Sequence, residues 1–164
     1  MRTLAITALF ATALSATNLL ATGLHEGSVP QSKRTSLGLY ITAADAYEKW
    51  KADPENVKLI DVRTPQEFRT VGYPEMAARI PLSASEQFVR QVKRVASLDD
   101  TVLVICRSGN RSAVAVEMLA QAGFDNAYTV VDGFEGDRES DPSSPDYGKR
   151  TVNGWKNAGL PWTR

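Results

Sequence analysis

Short apolar runs alternate along the chain with stretches whose apolar positions recur at helical spacing. Thr101-Val102-Leu103-Val104-Ile105 is unbroken and rich in β-branched residues, the pattern of a strand covered on both faces. Leu37–Ile41, Val57–Val62, a short piece within Met76–Leu82 and Ala127–Val131 read as further strands. Between them lie four helical patterns. Ala43–Lys51 turns Ala46, Tyr47 and Trp50 inward, and a second helix opens at Thr64-Pro65. A third, capped by Ser83 or Ser85 and running to Ser97, carries the stripe Phe88, Val89, Val92 and Val95, and Ala113–Ala122 carries Ala115, Met118, Leu119 and Ala122. Strands alternating with helices across short turns predict an α/β domain: a central parallel sheet of about five strands with helices on both faces.

Local chemistry marks the ends of these elements. Thr42 and Asp45 have capping-box spacing, with Asp in place of Glu or Gln, and Asp53-Pro54-Glu55-Asn56 breaks the helix that follows. Thr64-Pro65-Gln66-Glu67 combines a cap, a proline at the first helical position and a reciprocal glutamate. Ser112 is the expected N-cap of the last helix, and Gly123 its C-terminal stop.

The two ends of the chain depart from this rhythm. Arg2 precedes an uncharged, Ala/Thr-rich apolar run, Leu4–Leu20, and Ala21-Thr22-Gly23 supplies small residues for cleavage after Gly23. Residues 1–23 therefore read as a secretory signal peptide, with an uncleaved membrane anchor as the alternative, and predict a periplasmic or secreted protein. Residues 24–36 are polar and read as a flexible lead-in, and residues 37–164 as one domain. Within it, about 134–153 is a polar, Gly/Pro/Ser-rich insertion carrying Arg138, Lys149 and Arg150, which reads either as a disordered connection or as a loop that reaches over the site and helps bind an anion. Lys+Arg and Asp+Glu balance at 19 each, so there is no basic surplus for nucleic acid and no polybasic tail for a membrane.

Candidate chemistry concentrates at one place. Cys106, the single cysteine, follows the buried strand and opens the loop Arg107-Ser108-Gly109-Asn110-Arg111, after which a helix begins. Such a loop turns backbone N–H groups inward, and the helix dipole and two arginines add positive charge. An electropositive cradle favours the thiolate, the nucleophilic form of cysteine. Cys106 is the expected nucleophile, and Arg107, Ser108, Gly109, Asn110, Arg111 and Ser112 are the expected substrate-binding residues. Asp61 and Arg63, at the C-terminal end of a neighbouring parallel strand, are expected to support them. Asp61 is expected to pair with an arginine of the loop or to bond its backbone. His25, the only histidine, falls in the lead-in, which leaves neither a Cys-His dyad nor a histidine metal cluster. With one cysteine there is no internal dithiol chemistry, and no phosphate-loop, dinucleotide or metal motif is present, so no cofactor and no metal are expected.

Three motifs in order carry a family resemblance: LIDVRTPQEF (Leu59–Phe68), CRSGNRS (Cys106–Ser112) and GWKNAGLP (Gly154–Pro161). Together they resemble the signatures of single-domain rhodanese-like sulfurtransferases of exported bacterial type, over roughly Leu37 to Trp162. Two departures stand out: Tyr73 occupies the place of a histidine found in many members, and the insertion separates Gly133 from Trp155. The resemblance implies transfer of a sulfane sulfur from thiosulfate or a similar donor, through a Cys106 persulfide, to cyanide, a thiol or a protein cysteine. The implied partners are a small sulfur-containing anion and a thiol or protein acceptor, with no nucleic acid and no stable membrane association after signal cleavage. Two alternatives remain at this level: a sulfur carrier or binding module without turnover, and a cysteine-dependent phosphatase or arsenate reductase. Cysteine phosphatases place five residues between nucleophile and arginine, whereas four separate Cys106 from Arg111. A phosphatase would also need a general acid, for which Asp125 and Asp132 are the candidates.

Overall fold

The computed structural model describes residues 24–164, so the expected signal peptide lies outside the described residues. The strands are β1 (Tyr40–Ile41), β2 (Val57–Asp61), β3 (Tyr73–Pro74), β4 (Ala78–Arg79), β5 (Thr101–Ile105), β6 (Ala127–Val130), β7 (Asp137–Arg138), β8 (Arg150–Val152) and β9 (Trp162–Thr163). The α-helices are α1 (Ala43–Ala52), α2 (Pro65–Val71), α3 (Ser85–Val92) and α4 (Asn110–Gln121). Five strands form the central sheet in the order β1-β6-β5-β2-β4, and every pair in it is parallel. The expected α/β architecture is therefore present, with β5 at the centre of the sheet.

The period-two geometry of β5 divides the core in two. Val102 and Val104 face one side, where they meet Ile60, Phe88, Val92, Leu119 and Phe124 from β2, α3, α4 and the turn after α4. Leu103 and Ile105 face the other side, against Leu59, Ala46, Phe134 and Trp155. All four β5 side chains are fully buried, each contributing about 1.5–3 kcal/mol of apolar transfer energy. The sheet is thus anchored most firmly at the strand that delivers Cys106.

Several boundaries differ from expectation. Helix α3 stops at Val92, its N-cap is Ala84 with no side-chain bond, and Val95 is 42% exposed rather than part of the stripe. Without a capping hydroxyl at either serine, the helix keeps only the turns that Phe88 and Val92 anchor in the core. Helix α4 begins two residues before Ser112: Gly109, in a left-handed conformation, is the cap, and Ser112 is buried in the first turn. The insertion is not wholly irregular, since β7 and β8 pair as an antiparallel hairpin. Its first residue, Phe134, is a fully buried core side chain.

The lead-in is also a correction. Residues 25–36 hold two 3₁₀ turns, Glu26–Ser28 and Gln31–Lys33, and pack on α4. Ser36 gives both its backbone N–H and its hydroxyl to Glu117. Lys33 is 9% exposed and donates to the Val131 carbonyl at 2.8 Å and to Asp137 at 3.2 Å. A buried ammonium is tolerable only with such partners, and they hold the segment to the sheet end that carries Cys106. Among the described residues, no helix is long and apolar enough to cross a membrane.

Candidate active site

The loop after β5 is shaped by three constraints. Its carbonyls face outward: Phe134 N–H donates to the Cys106 carbonyl at 2.8 Å, and Glu135 N–H to the Arg107 carbonyl at 3.0 Å. Because trans peptides set C=O and N–H antiparallel, the amides of Arg107 and Ser108 face the opposite way, into the loop. At Gly109 the chain turns at φ +99°, and its N–H donates to the Cys106 sulfur at 3.2 Å. A side chain there would meet the Val131 carbonyl at 2.3 Å and Lys33 at 2.9 Å, so only glycine fits. Gly133 matters equally: at φ +64°, a Cβ would lie 2.6 Å from the backbone of Arg107 and Ser108.

Among the described residues, no backbone carbonyl accepts from the amides of Arg107, Ser108, Asn110, Arg111 or Ser112. These are the orphan donors of a helix N-terminus and the loop leading to it, gathered around one sulfur. Cys106 itself is only 1% exposed. Arg107 and Asn110 are exposed, and Ser108 is half-buried. The Ser112 hydroxyl is buried without a partner among the described residues, so it neither caps the helix nor is committed elsewhere.

The two arginines of the loop divide their work. Arg111 makes a bidentate pair with Glu67, at 2.8 and 2.6 Å. Arg107 makes no ion pair among the described residues. Asp61 does not pair with the loop. It grips Arg63 through three side-chain contacts of 2.6–3.1 Å, and also accepts the Arg63 backbone N–H. Both residues are fully buried, and the Arg63 guanidinium stacks on the Phe134 ring with its carbon 4.0 Å from the ring centroid. A partner two residues away closes the bidentate fork without chain movement, which is why Arg63 and not a loop arginine takes Asp61. The link from Asp61 to the loop is indirect: Asp61 holds Arg63, Arg63 supports Phe134, and Phe134 N–H holds the Cys106 carbonyl.

The local sequence around Glu67 signals only a helix cap. The capping box is present, with Thr64 Oγ1 accepting from Glu67 N–H and Glu67 accepting from Thr64 N–H. The same carboxylate also holds Arg111, and nothing in the local pattern distinguishes a glutamate that caps from one that caps and pairs across the fold. Burial raises the Glu67 pKa, but Arg111 and the Thr64 amide and hydroxyl outweigh it and bring the group from 4.5 down to about 2. A carboxyl depressed on folding stabilises the protein above its unfolded pKa, and that contribution fades as pH falls toward the folded value. The Tm advantage of wild type over Glu67→Gln is therefore expected to shrink between pH about 4.5 and about 2. An advantage constant across that window in thermal melts would refute the pairing.

The two acid candidates are placed differently. Both oxygens of Asp132 accept backbone N–H groups, from Ala43 at 2.8 Å and Gly154 at 2.9 Å. It ties the start of α1 to the segment after the hairpin. Burial raises its pKa against these bonds. Asp125 precedes β6 and so lies at the N-terminal end of the strands, opposite the Cys106 loop. Among the described residues, no three His, Cys, Asp or Glu side chains gather as metal ligands.

Known proteins share this fold. Residues 43–139, more than half the chain, match the rhodanese-like domain. The uncharacterized protein RP600 of Rickettsia prowazekii is 31% identical over 114 residues, covering 65% of this chain and 83% of its own. The crystal structure of Rv0390 from M. tuberculosis superposes with a TM-score of 0.62 at 32% identity, covering 75% of this chain and 95% of that one. The polysulfide-sulfur transferase homodimer of Wolinella succinogenes gives a TM-score of 0.51 at 25% identity, with coverage of 76% and 77%. A strand-loop-helix that closes a ring of amides on one cysteine, in a sheet shared with these structures and over the span the family occupies, makes this chain a member of the rhodanese-like domain family.

Proposed function

We propose that the protein is a sulfurtransferase that carries sulfane sulfur on Cys106, with thiosulfate or a similar anion as donor. The Cys106 thiolate attacks the outer sulfur of thiosulfate, the S–S bond breaks, and sulfite leaves with the electron pair. The product is a Cys106 persulfide anion. The amides of Arg107, Ser108 and Gly109, with those opening α4, stabilise its terminal sulfur, since fixed N–H dipoles require no reorganisation when the charge arrives. Cyanide, a thiol or a protein cysteine then attacks that sulfur and restores the thiolate, which makes the cycle ping-pong. Arg107 orients the donor, while Arg111, committed to Glu67, braces the ring.

The observation that carries this reading is the size and closure of the ring. Four residues separate Cys106 from Arg111, and Gly109 N–H rests on the sulfur itself at 3.2 Å. A cysteine 1% exposed at the floor of so tight a ring suits the delivery of one atom better than the in-line attack on a bulky ester. Against a phosphatase stand the engaged oxygens of Asp132 and the remote position of Asp125. A signal peptide at residues 1–23 fits an exported enzyme of this kind.

Intact-mass analysis after exposure to thiosulfate tests the reading. Cys106 is expected to gain one sulfur atom and to lose it on addition of cyanide. Loading without release to any small acceptor would favour the carrier without turnover. No loading by thiosulfate or polysulfide, together with hydrolysis of p-nitrophenyl phosphate, would overturn sulfur transfer in favour of the phosphatase.

A further inference from the structure

The hairpin β7–β8 places Arg138 directly opposite Arg150 in its ladder. Like charges in register across two strands repel, and a sheet gains nothing from them. The nearby acids do not resolve the conflict. Asp137 is held by Lys33 at 3.2 Å, and among the described residues neither Arg138 nor Arg150 makes an ion pair. Each donates to one carbonyl, Arg138 to Gly148 and Arg150 to Gly136, which leaves most of the five N–H donors of each fork unused.

The hairpin is joined to the loop. Glu135 N–H bonds the Arg107 carbonyl, and Gly133 presses on the Arg107 and Ser108 backbone. Arg150 lines a shallow recess with Val71, Glu135, Lys156 and Asn157 beside that junction. Burial, and then the like charges of Arg107 and Arg138, hold the Arg150 guanidinium below its ordinary pKa. Among the described residues, Glu135 is the only carboxylate lining the recess, set against Arg150 and Lys156. Three arginines with no ion pair, two of them in repulsive register, are a local violation of folding preference of the kind that functional sites retain.

We propose that Arg138 and Arg150, with Arg107, form an anion subsite beyond the sulfur-binding ring, and that it holds a carboxylate or sulfonate carried by the thiol that accepts the sulfur. This rests on the sulfur-transfer reading and names the class of its acceptor. In the step it serves, an acceptor thiolate attacks the terminal sulfur of the Cys106 persulfide. A new S–S bond forms on the acceptor, the bond to Cys106 breaks, and Cys106 leaves as thiolate; no oxidant or reductant is consumed. The insertion thereby makes an anionic thiol a better acceptor than a neutral thiol of similar size.

The test uses the full chain loaded with thiosulfate, with loading confirmed by mass. Single-turnover transfer is then measured to mercaptosuccinate and to mercaptoethanol, corrected for thiolate fraction. Wild type is expected to prefer mercaptosuccinate by about tenfold at low salt, a preference of the size that charge-assisted hydrogen bonds supply. The preference should fall as salt is raised. In the R138Q/R150Q variant the ratio should fall toward one. If that variant does not fold, the salt series on wild type and the single variant R138Q, at the more exposed of the two positions, carry the test. Normal loading with no preference, or with a preference that neither salt nor substitution alters, overturns the subsite alone. Failure of wild type to load from either thiosulfate or polysulfide overturns sulfur transfer and this acceptor role with it.

Discussion

Cys106→Ser is expected to abolish sulfur loading and transfer, by at least about a thousandfold, while shifting Tm by only a few degrees. A serine hydroxyl at neutral pH is scarcely ionised, and the exposed side chain of the single histidine, His25, bonds nothing in the loop among the described residues and so is not set to take its proton. Serine also cannot form the S–S bond on which the cycle depends. The amide ring would remain, so an anion can still bind, but no covalent sulfur is retained. Single-turnover transfer from thiosulfate to cyanide, wild type against variant, measures this directly. A serine variant with substantial activity would remove Cys106 as the nucleophile.

The expected survival of the fold has its own physical basis. Cys106 is 1% exposed and packs with Val62, Val104 and their neighbours, so its replacement is felt in the core. Serine is slightly smaller and its hydroxyl can take the Gly109 N–H now donated to sulfur at 3.2 Å. The outward bonds from Phe134 and Glu135 to the loop carbonyls do not involve the side chain at all. A Cys106→Ala variant should be equally inactive, and agreement between the two would separate loss of the thiol from any disturbance by the hydroxyl.

What was legible in the sequence follows from how local each feature is. The β5 run, the Thr64–Glu67 capping box and the glycine after the last helix are set by neighbours within four residues, and each is present in the fold. The nucleophile and the loop that surrounds it were legible for the same reason, since Cys106, Gly109 and the start of α4 are contiguous. Partners distant in sequence were not. Glu67 and Arg111 are 44 positions apart, and Lys33 lies 98 positions from the carbonyl it holds. Phe134 was lost inside a polar stretch because a single apolar residue has no period. Yet it is the residue that links the buried ion pair to the Cys106 carbonyl. The repulsive register of Arg138 and Arg150 required a hairpin that Gly, Pro and Ser had made look irregular.

Asp61→Ala carries the largest expected cost in stability, about 3–5 kcal/mol and on the order of 10 °C in Tm. Arg63 would remain fully buried with its charge uncompensated, keeping the Gly72 carbonyl at 2.8 Å and the Phe134 and Phe68 rings. Its Nη1 already lacks an acceptor among the described residues, so the site has no spare partner to offer. Removing both charges is a different matter, because a buried pair replaced by apolar groups of similar volume is often close to neutral. Asp61→Ala/Arg63→Met is therefore expected to recover much of the stability lost in Asp61→Ala alone, as read from urea unfolding of both variants. Activity should not recover in parallel. Methionine lacks the planar cation that stacks on Phe134, and the Phe134 N–H is what turns the Cys106 carbonyl outward and its neighbouring amide toward the sulfur. A double variant restored in stability but slowed in persulfide formation would assign the pair to positioning the loop. If stability and rate recover together, the pair serves the fold alone.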